Sequence, residues 1–566
     1  MPSRTKWVIA KKPPKDLIDS LAEEFSLAKT VVSLACQRGH NTRELLPKFL
    51  YPRLQDLSDP FLMPGMQAAV DRILIAVQRK ERVALYGDYD VDGVTSIALL
   101  YHILSQYGLS PTQFLPARLE EGYGLSIDGI ERVLEDSTPT LLIAADCGTN
   151  SREEAKMLRE LGVDLIVLDH HEPSLEGIAD CVSVVNPKLG KDYHYLCTAG
   201  VVFKIGHALL KQSPAHGFDL RDYLDLVAMG TVADIVPLVD ENRIFVRRGL
   251  QQLDRTIHPG VQALKNISGA GTPARTADIG FKLGPRLNAA GRLDTAMASL
   301  DLILSQGMVD AEGFAADLDE RNRERQNLEM KTREEAEAMI EALDPSDRNH
   351  GIVVGAPGWH PGVVGIVASR ISKFYHRPTF VVAFDENGIG KGSGRSIEGI
   401  SLVQALDSCR ELIVAGGGHD MAAGVSLKQE NLADFSKAFS KYIADVSTND
   451  VMTQKLRIDA QTTLAELTID LLDSYELLRP FGSNNPQPVF MCRGVELAIP
   501  GRLIKEKHQK FRLMQGATHR EAMYFNSAHI DLPKPPWDVA FTIDRNEFRG
   551  LTGIQIVIQG IRKSTA

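Results

Sequence analysis

The six cysteines of this 566-residue chain (Cys36, Cys147, Cys181, Cys197, Cys409, Cys492) form no CxxC and no His/Cys zinc spacing. That argues against a structural zinc and for a reducing compartment, where these thiols serve as small buried residues. No stretch approaches the roughly 18 consecutive apolar residues that a membrane span needs, and the opening MPSRTKWVIAKKPPK has no apolar run of signal-peptide length. A cytoplasmic protein without membrane contact is expected. A basic excess is also missing: the formal charge is -10 and the pI about 5.9, so nucleic acid would have to be met by local basic grooves. Internal repeats and low-complexity tracts are absent. What remains, 44% hydrophobic and 24% charged residues, suits a globular chain, and its length implies roughly three or four domains.

Patterning divides the chain into segments. Residues 1–60 are mixed and Pro-punctuated, and read as an N-terminal extension packed on the domain that follows. Over 61–308, strand-like runs alternate with helical stretches such as MQAAVDRILIAVQRK and SREEAKMLRELG, the rhythm of a doubly wound parallel sheet. Residues 309–345 hold a Glu, Arg and Ala-dense stretch that predicts one long connecting helix. A second α/β region follows over 346–450. The short alternating strands of 451–566 have the spacing of a small antiparallel barrel.

Four acidic segments stand out in the first region. RVALYGDYDVDG holds Asp88, Asp90 and Asp92; LLIAADCG ends in Asp146; LIVLDHH ends in Asp169, His170 and His171; GTVADIVPL holds Asp234. The apolar runs at 82–86, 140–145 and 163–168 are short, continuous and rich in β-branched residues, as for strands buried on both faces. Their acids therefore fall at carboxyl ends, where open α/β sheets place the ligand crevice. Each aspartate alone is ordinary turn chemistry. Together they would repel one another unless divalent cations held them, and Mg²⁺ or Mn²⁺ prefers such oxygen donors with an occasional imidazole.

Such a site supports in-line hydrolysis at phosphorus with two ions about 3.5 to 4 Å apart. The expected ligand set is Asp88, Asp90, Asp92, Asp146, His170 and Asp234. Asp146 is the candidate bridge, Asp88 and Asp90 take one ion, and Asp92, His170 and Asp234 take the other. His171 is a candidate for contacting the phosphate or assisting the leaving oxygen, with support of a ligand as its plainer role. Asp169 is expected to support the ligands rather than join them.

The quartet GDYDVDG, ADCG, DHH and GTVADIVPL resembles the DHH phosphoesterase superfamily. GPRLNAAGRLD (284–294), WHPGVVGIVASR (359–370), GKGSGRS (390–396) and GGGHDMAAG (416–424) narrow the likeness to the bacterial RecJ exonucleases. The resemblance covers about residues 50–566. It implies an α/β chain in which a parallel-sheet DHH domain is joined by a long helix to a smaller α/β DHHA1 domain, followed by an OB-fold barrel. It further implies 5′ to 3′ degradation of single-stranded DNA to 5′-mononucleotides with two Mn²⁺ or Mg²⁺ ions, in DNA repair and recombination. Single-strand-binding protein and a RecQ-type helicase are the implied protein partners. The metal quartet alone also fits a DHH-type phosphoesterase acting on short oligonucleotides or small phosphorylated molecules, for which a C-terminal barrel has no evident use.

On that reading GKGSGRS is a glycine-rich loop whose Gly392 and Gly394 N–H groups, Ser393 hydroxyl and Arg395 guanidinium suit a terminal phosphate. Arg118, Arg286 and Asn288 resemble positions near the nucleic-acid path. His360 is a catalytic candidate from the second domain and His419 a phosphate-binding one. In the barrel, Lys505, Lys507, His508, Lys510, Phe511, Arg512, Tyr524 and Phe525 offer charge and rings for a single strand.

Overall fold

The computed structural model describes residues 5–116, 124–293, 296–344, 348–548 and 550–565. Its chain divides into two compact units, the larger built from Val8–Gly284, Ser299–Glu312 and Arg457–Ala566, and the smaller chiefly from Gly313–Leu456 with Pro285–Ala298.

The larger unit begins with three helices, α1 (Lys15–Glu24), α2 (Lys29–Gln37) and α3 (Leu45–Leu50). A parallel sheet follows, made of β1 (Val83–Gly87), β2 (Thr112–Phe114), β3 (Leu141–Ala145), β4 (Asp164–Leu168) and β5 (Ser183–Val185) in the order β2-β1-β3-β4-β5. All five residues of β1 and of β3 are buried, which explains why their sequences are continuous rather than alternating. The α/β rhythm expected up to 308 stops at β5. From Thr198 to Leu304 the described chain holds helices and no strand, among them α5 (Thr198–Gln212), α6 (Leu224–Ala233) and α7 (Asp240–Leu253), while α4 (Val91–Gln106) lies earlier, after β1. Most positions of α5 and α6 are buried, so they pack as core helices behind the sheet.

The C-terminal barrel belongs to the same unit. Its strands β11 (Ala460–Gln461), β12 (Phe490–Ile504), β13 (His508–Gln515), β14 (Thr518–Tyr524), β15 (Trp537–Phe548) and β16 (Leu551–Lys563) run in the order β11-β12-β13-β14-β16-β15, and pairing of β12 with β15 closes the ring. The N-terminal helices share this domain's apolar core: Leu34, Leu46 and Phe49 cluster with Leu472, Tyr475, Phe490 and Phe541. Sequence reasoning named only the parallel-sheet domain as their support. That domain contributes polar anchors instead, since Arg243 and Arg247 of α7 donate to the carbonyls of Phe49 and Leu50.

A 35-residue helix, α8 (Met308–Ala342), leads into the smaller unit, whose sheet contains β6 (Ile352–Pro357), β7 (Thr379–Phe384), β8 (Ile389–Arg395), β9 (Ala415–Gly418) and β10 (Ala422–Lys428) in the order β9-β10-β8-β7-β6. Helix α9 (Pro361–Tyr375) packs on one face of it.

Candidate metal centre

The parallel sheet delivers its acids by one device used three times. Each strand ends and the next residue is an aspartate: Asp88 after β1, Asp146 after β3 and Asp169 after β4. Asp90 is the N-cap of α4, its Oδ1 accepting from the N–H groups of Asp92 (2.9 Å) and Gly93 (3.1 Å). Gly93 must lack a side chain, because a Cβ there would lie 2.3 Å from the Asp88 carbonyl oxygen. Asp146 adopts φ +67°, a left-handed conformation uncommon outside glycine, with its N–H donating to Leu168 O. Asp234 arrives from a different direction, at the C-cap of α6.

These elements bring the donor atoms into three overlapping groups: Asp88, Asp90 and Asp146; Asp92, His170 and Asp234; and Asp146, His170 and His171, each with its ligand atoms within 4.8 Å of one another. His170 Nε2 lies 3.4 Å from Asp146 Oδ1, 3.5 Å from Asp234 Oδ2 and 4.0 Å from Asp92 Oδ2. Burial, with His171 nearby, pulls the His170 pKa down to about 3, so its ring is neutral and can offer a lone pair. Burial raises Asp92 to about 6 and Asp234 to about 8, with neighbouring carboxylates adding to both, and raises Asp146 for the same reasons. Carboxylates and an imidazole crowded into one dry crevice, unable to ionise together, form a hard-donor set that fits Mg²⁺ or Mn²⁺.

Asp169 takes another role. Its Oδ1 accepts from the N–H groups of His170 (2.7 Å) and His171 (3.2 Å) and lies 2.7 Å from His171 Nδ1, while its Oδ2 accepts from Thr149 N–H (3.0 Å). Burial alone would raise its pKa, yet these partners hold it well below the usual carboxylate range. Raising the His171 pKa against the effect of its own burial, Asp169 fixes that ring beside the ligands.

Thr198 escaped sequence reasoning. At the start of α5 its hydroxyl donates to Asp146 Oδ1 (2.9 Å), its N–H to Asp92 Oδ2 (2.7 Å), and the Ala199 N–H to Asp92 Oδ1 (3.0 Å). A helix N-terminus thus faces the most crowded carboxylates. Nothing in CTAG marks the threonine as more than a helix-start residue.

The smaller unit corrects one expectation. GKGSGRS is the strand β8, hydrogen-bonded on both sides to β7 and β10, so the Gly392 and Gly394 main chain serves the sheet rather than a phosphate-binding loop. The glycines are needed because a Cβ at Gly394 would lie 2.4 Å from the Phe380 ring and one at Gly392 would lie 2.8 Å from Val382. On the opposite face Arg395 donates to the Ser393 hydroxyl (2.9 Å), and both approach Gly365 of α9. His360 is the N-cap of α9, its Nδ1 accepting from Gly362 N–H (3.0 Å), and exposed His419 sits in the turn between β9 and β10. Arg286 is held by Asp319 at 2.8 Å, Asn288 is half-buried, and Arg118 lies outside the described residues.

The barrel candidates separate as well. Phe511 is 5% exposed and packs edge-on against Trp537, so it belongs to the core and cannot meet a base. Lys510 pairs with Glu521, while Lys505, Lys507 and Arg512 are exposed. Phe525 is exposed beside His508, with ring centroids 5.2 Å apart.

A parallel sheet with three of these acidic segments at its carboxyl ends, met by Asp234 from α6, defines a DHH-type phosphoesterase, and residues 82–231 match the DHH family N-terminal domain. Residues 349–445 match the DHHA1 domain and 458–560 the RecJ OB domain. The chain belongs to the RecJ family. It is 37% identical to the single-stranded-DNA-specific exonuclease RecJ of Bacillus subtilis over 93% of this chain, spanning 66% of that relative's length. With RecJ of Haemophilus influenzae it shares 33% identity, covering 90% of this chain and 92% of the relative. The crystal structure of RecJ from Thermus thermophilus in complex with Mn²⁺ superposes with a TM-score of 0.83 at 29% identity, covering all of this chain and 80% of the other. A further RecJ structure from that organism holds Mg²⁺.

Proposed function

We propose that this chain is a metal-dependent exonuclease that degrades single-stranded DNA from the 5′ end, releasing 5′-mononucleotides in DNA repair and recombination. The observation that carries it is the pair of donor groups, Asp88–Asp90–Asp146 and Asp92–His170–Asp234, at the carboxyl ends of one sheet. Two adjacent hard-cation sites on a chain that also carries DHHA1 and OB domains fit a polymeric phosphodiester better than a small phosphate ester.

Asp146 would be shared by both sites, Asp88 and Asp90 would complete one, and Asp92, His170 and Asp234 the other. Two Mn²⁺ or Mg²⁺ ions held by these residues would supply an activated water and offset charge on the phosphate oxygens. His171, oriented by Asp169, donates toward the phosphate or leaving oxygen. In the smaller unit Arg395 and Ser393 share one face of β8 and supply donors for a terminal phosphate, with His360 and His419 as further contacts and Arg286 and Asn288 as contacts for the strand, while Arg118, outside the described residues, keeps that role on the family resemblance alone. Asp319 beside Arg286 tempers that arginine's charge, so positioning is its main contribution. In the barrel Phe525, Lys505, Lys507 and Arg512 offer the exposed ring and charges that single strands require.

The domain borders we assign are 61–308 for DHH, 309–345 for the connecting helix, 346–450 for DHHA1 and 451–566 for the OB-fold. Six free thiols suit the cytoplasm. Single-strand-binding protein and a RecQ-type helicase are the partners to test.

Incubation with Mn²⁺ and 5′- or 3′-labelled single-stranded and duplex DNA, following product length with time, tests the reading. Immediate release of 5′ label as mononucleotide from single strands alone is expected. Release from both ends, or hydrolysis restricted to dinucleotides and other small esters, contradicts it.

A further inference from the structure

Ile235 follows Asp234 just past the end of α6, with φ at +61°. Glycine enters that left-handed region freely and is the usual residue at such helix ends, whereas branching at Cβ makes it costly. Among the described residues Ile235 is the only aliphatic side chain on such a backbone. The turn itself is imposed from both sides. Asp234 N–H donates to Gly230 O (2.9 Å) and Ile235 N–H to Val232 O (3.3 Å), closing the helix, and three residues on the Leu238 N–H donates to Ser483 O (2.9 Å) while the Leu238 side chain is buried. Pro237, between these anchors, favours an extended Val236. The backbone thus calls for a left-handed residue and gives no reason for isoleucine.

Packing gives none either. Ile235 is 74% exposed, so contacts within the chain repay little of the strain. A single exposed aliphatic side chain is ordinary. One that is also strained is a net cost to the fold, and strain of this kind collects where a substrate is gripped.

Its position says which substrate. Asp234 Oδ2 lies 3.5 Å from His170 Nε2, and consecutive Cα atoms are about 3.8 Å apart, so Ile235 sits at the rim of the metal centre. That rim is the accessible one: the side chains of Asp234 and His171 are 23% and 38% exposed, while those of Asp92 and Asp146 are closed off. A phosphodiester reaching the donor groups from this side brings its flanking nucleotides past Ile235.

Resting on the reading of the chain as a single-strand exonuclease, we propose that Ile235 is a substrate-contacting residue that packs against a nucleobase next to the scissile phosphodiester. An aliphatic contact works through dehydration and dispersion, asks for no hydrogen bond and therefore serves all four bases. Held beside Asp234, the base fixes its phosphodiester over the donor groups.

Steady-state hydrolysis of 5′-phosphorylated single-stranded DNA at saturating Mn²⁺ tests this, with intact strands and strands abasic at the first or the second nucleotide. Ile235→Gly and Ile235→Asn suit the left-handed backbone and lose the aliphatic contact, whereas Ile235→Met keeps an apolar chain. KM for intact strands should rise about tenfold in the glycine and asparagine variants and stay within about threefold of wild type in the methionine variant. Wild type should lose a similar factor on one of the two abasic strands, which identifies the base, and Ile235→Gly should lose little more on that strand, because both changes remove one contact. The Mn²⁺ concentration for half-maximal hydrolysis should be unchanged in Ile235→Gly, and neither the glycine nor the asparagine variant should melt below wild type. An unchanged KM in both variants, abasic losses that multiply with Ile235→Gly, a raised Mn²⁺ requirement or a melting temperature several degrees lower would overturn the contact and leave the nuclease reading standing. A wild-type chain that degrades no DNA would overturn both together.

Discussion

Thr198 gives its hydroxyl to Asp146 and its backbone N–H to Asp92, at 2.9 and 2.7 Å, so one residue orients a carboxylate in both the Asp88–Asp90–Asp146 and the Asp92–His170–Asp234 groups. Thr198→Val keeps the shape and the N–H but removes the hydroxyl. Support of this kind is commonly worth about 10- to 100-fold in metal affinity, so the Mn²⁺ concentration for half-maximal hydrolysis should rise by that factor while KM for DNA at saturating Mn²⁺ stays fixed. Thr198→Ser should restore wild-type behaviour. An unchanged Mn²⁺ requirement in the valine variant would remove the hydroxyl from the account.

Gly230 of α6 guards the same carboxylate from behind. A Cβ there would lie 2.5 Å from Asp92 Oδ1 and 2.8 Å from both Thr95 Oγ1 and the Ala199 Cβ. Gly230→Ala is therefore expected to cost about 1 to 3 kcal/mol of stability by overpacking, and to raise the Mn²⁺ requirement because Asp92 is the group that must move. Denaturant unfolding and Mn²⁺ titration on one preparation check both. A variant as stable and as metal-sensitive as wild type would show that the helix shifts at no cost.

The metal-free protein should be sensitive to pH in a particular direction. Burial lifts Asp92 from 3.8 to about 6 and Asp234 from 3.8 to about 8 in the folded chain. A raised folded pKa means the native state holds the proton more tightly than the unfolded chain does. The associated stability is complete below 3.8 and is lost as pH climbs through 6 toward 8. Metal ions replace those protons and bind more tightly as pH rises. Melting temperatures between about pH 5 and about pH 9 should show the gap between Mn²⁺ and EDTA samples widening with pH. A constant gap would mean that these carboxyls are not what the metal neutralises.

Arg395→Ala should weaken the preference for a 5′-phosphorylated end over a 5′-hydroxyl end, with less effect on hydrolysis at saturating substrate. The guanidinium shares a face of β8 with Ser393 and donates to its hydroxyl. Competition between the two DNA ends measures it. An undiminished preference would place the phosphate elsewhere.

Much of the site was legible because strand periodicity and strand ends announce each other. The runs before Asp88, Asp146 and Asp169 could be buried parallel strands and little else, and a parallel sheet gathers its carboxyl ends. Asp234 was found as an acid, although the helix that presents it was not distinguished from the preceding α/β rhythm, since a helix buried on all sides has no amphipathic period to read. GKGSGRS misled because glycine signals turns and close packing alike. Only the Phe380 and Val382 side chains, supplied by the neighbouring strand, decide for a strand. Phe511 was indistinguishable from a base-stacking ring until its Trp537 partner was in place. Thr198 and Arg243 act through atoms supplied by remote segments, which no spacing reveals.

Counting Mn²⁺ ions per chain by equilibrium dialysis, with hydrolysis of 5′-labelled single-stranded DNA measured on the same samples, tests the central claim most directly. The account predicts two ions in the wild-type chain, activity that follows occupancy of the second, and a folded Asp146→Ala protein that is inactive and has lost that paired occupancy. Full activity with a single ion bound, or in folded Asp146→Ala, would contradict it.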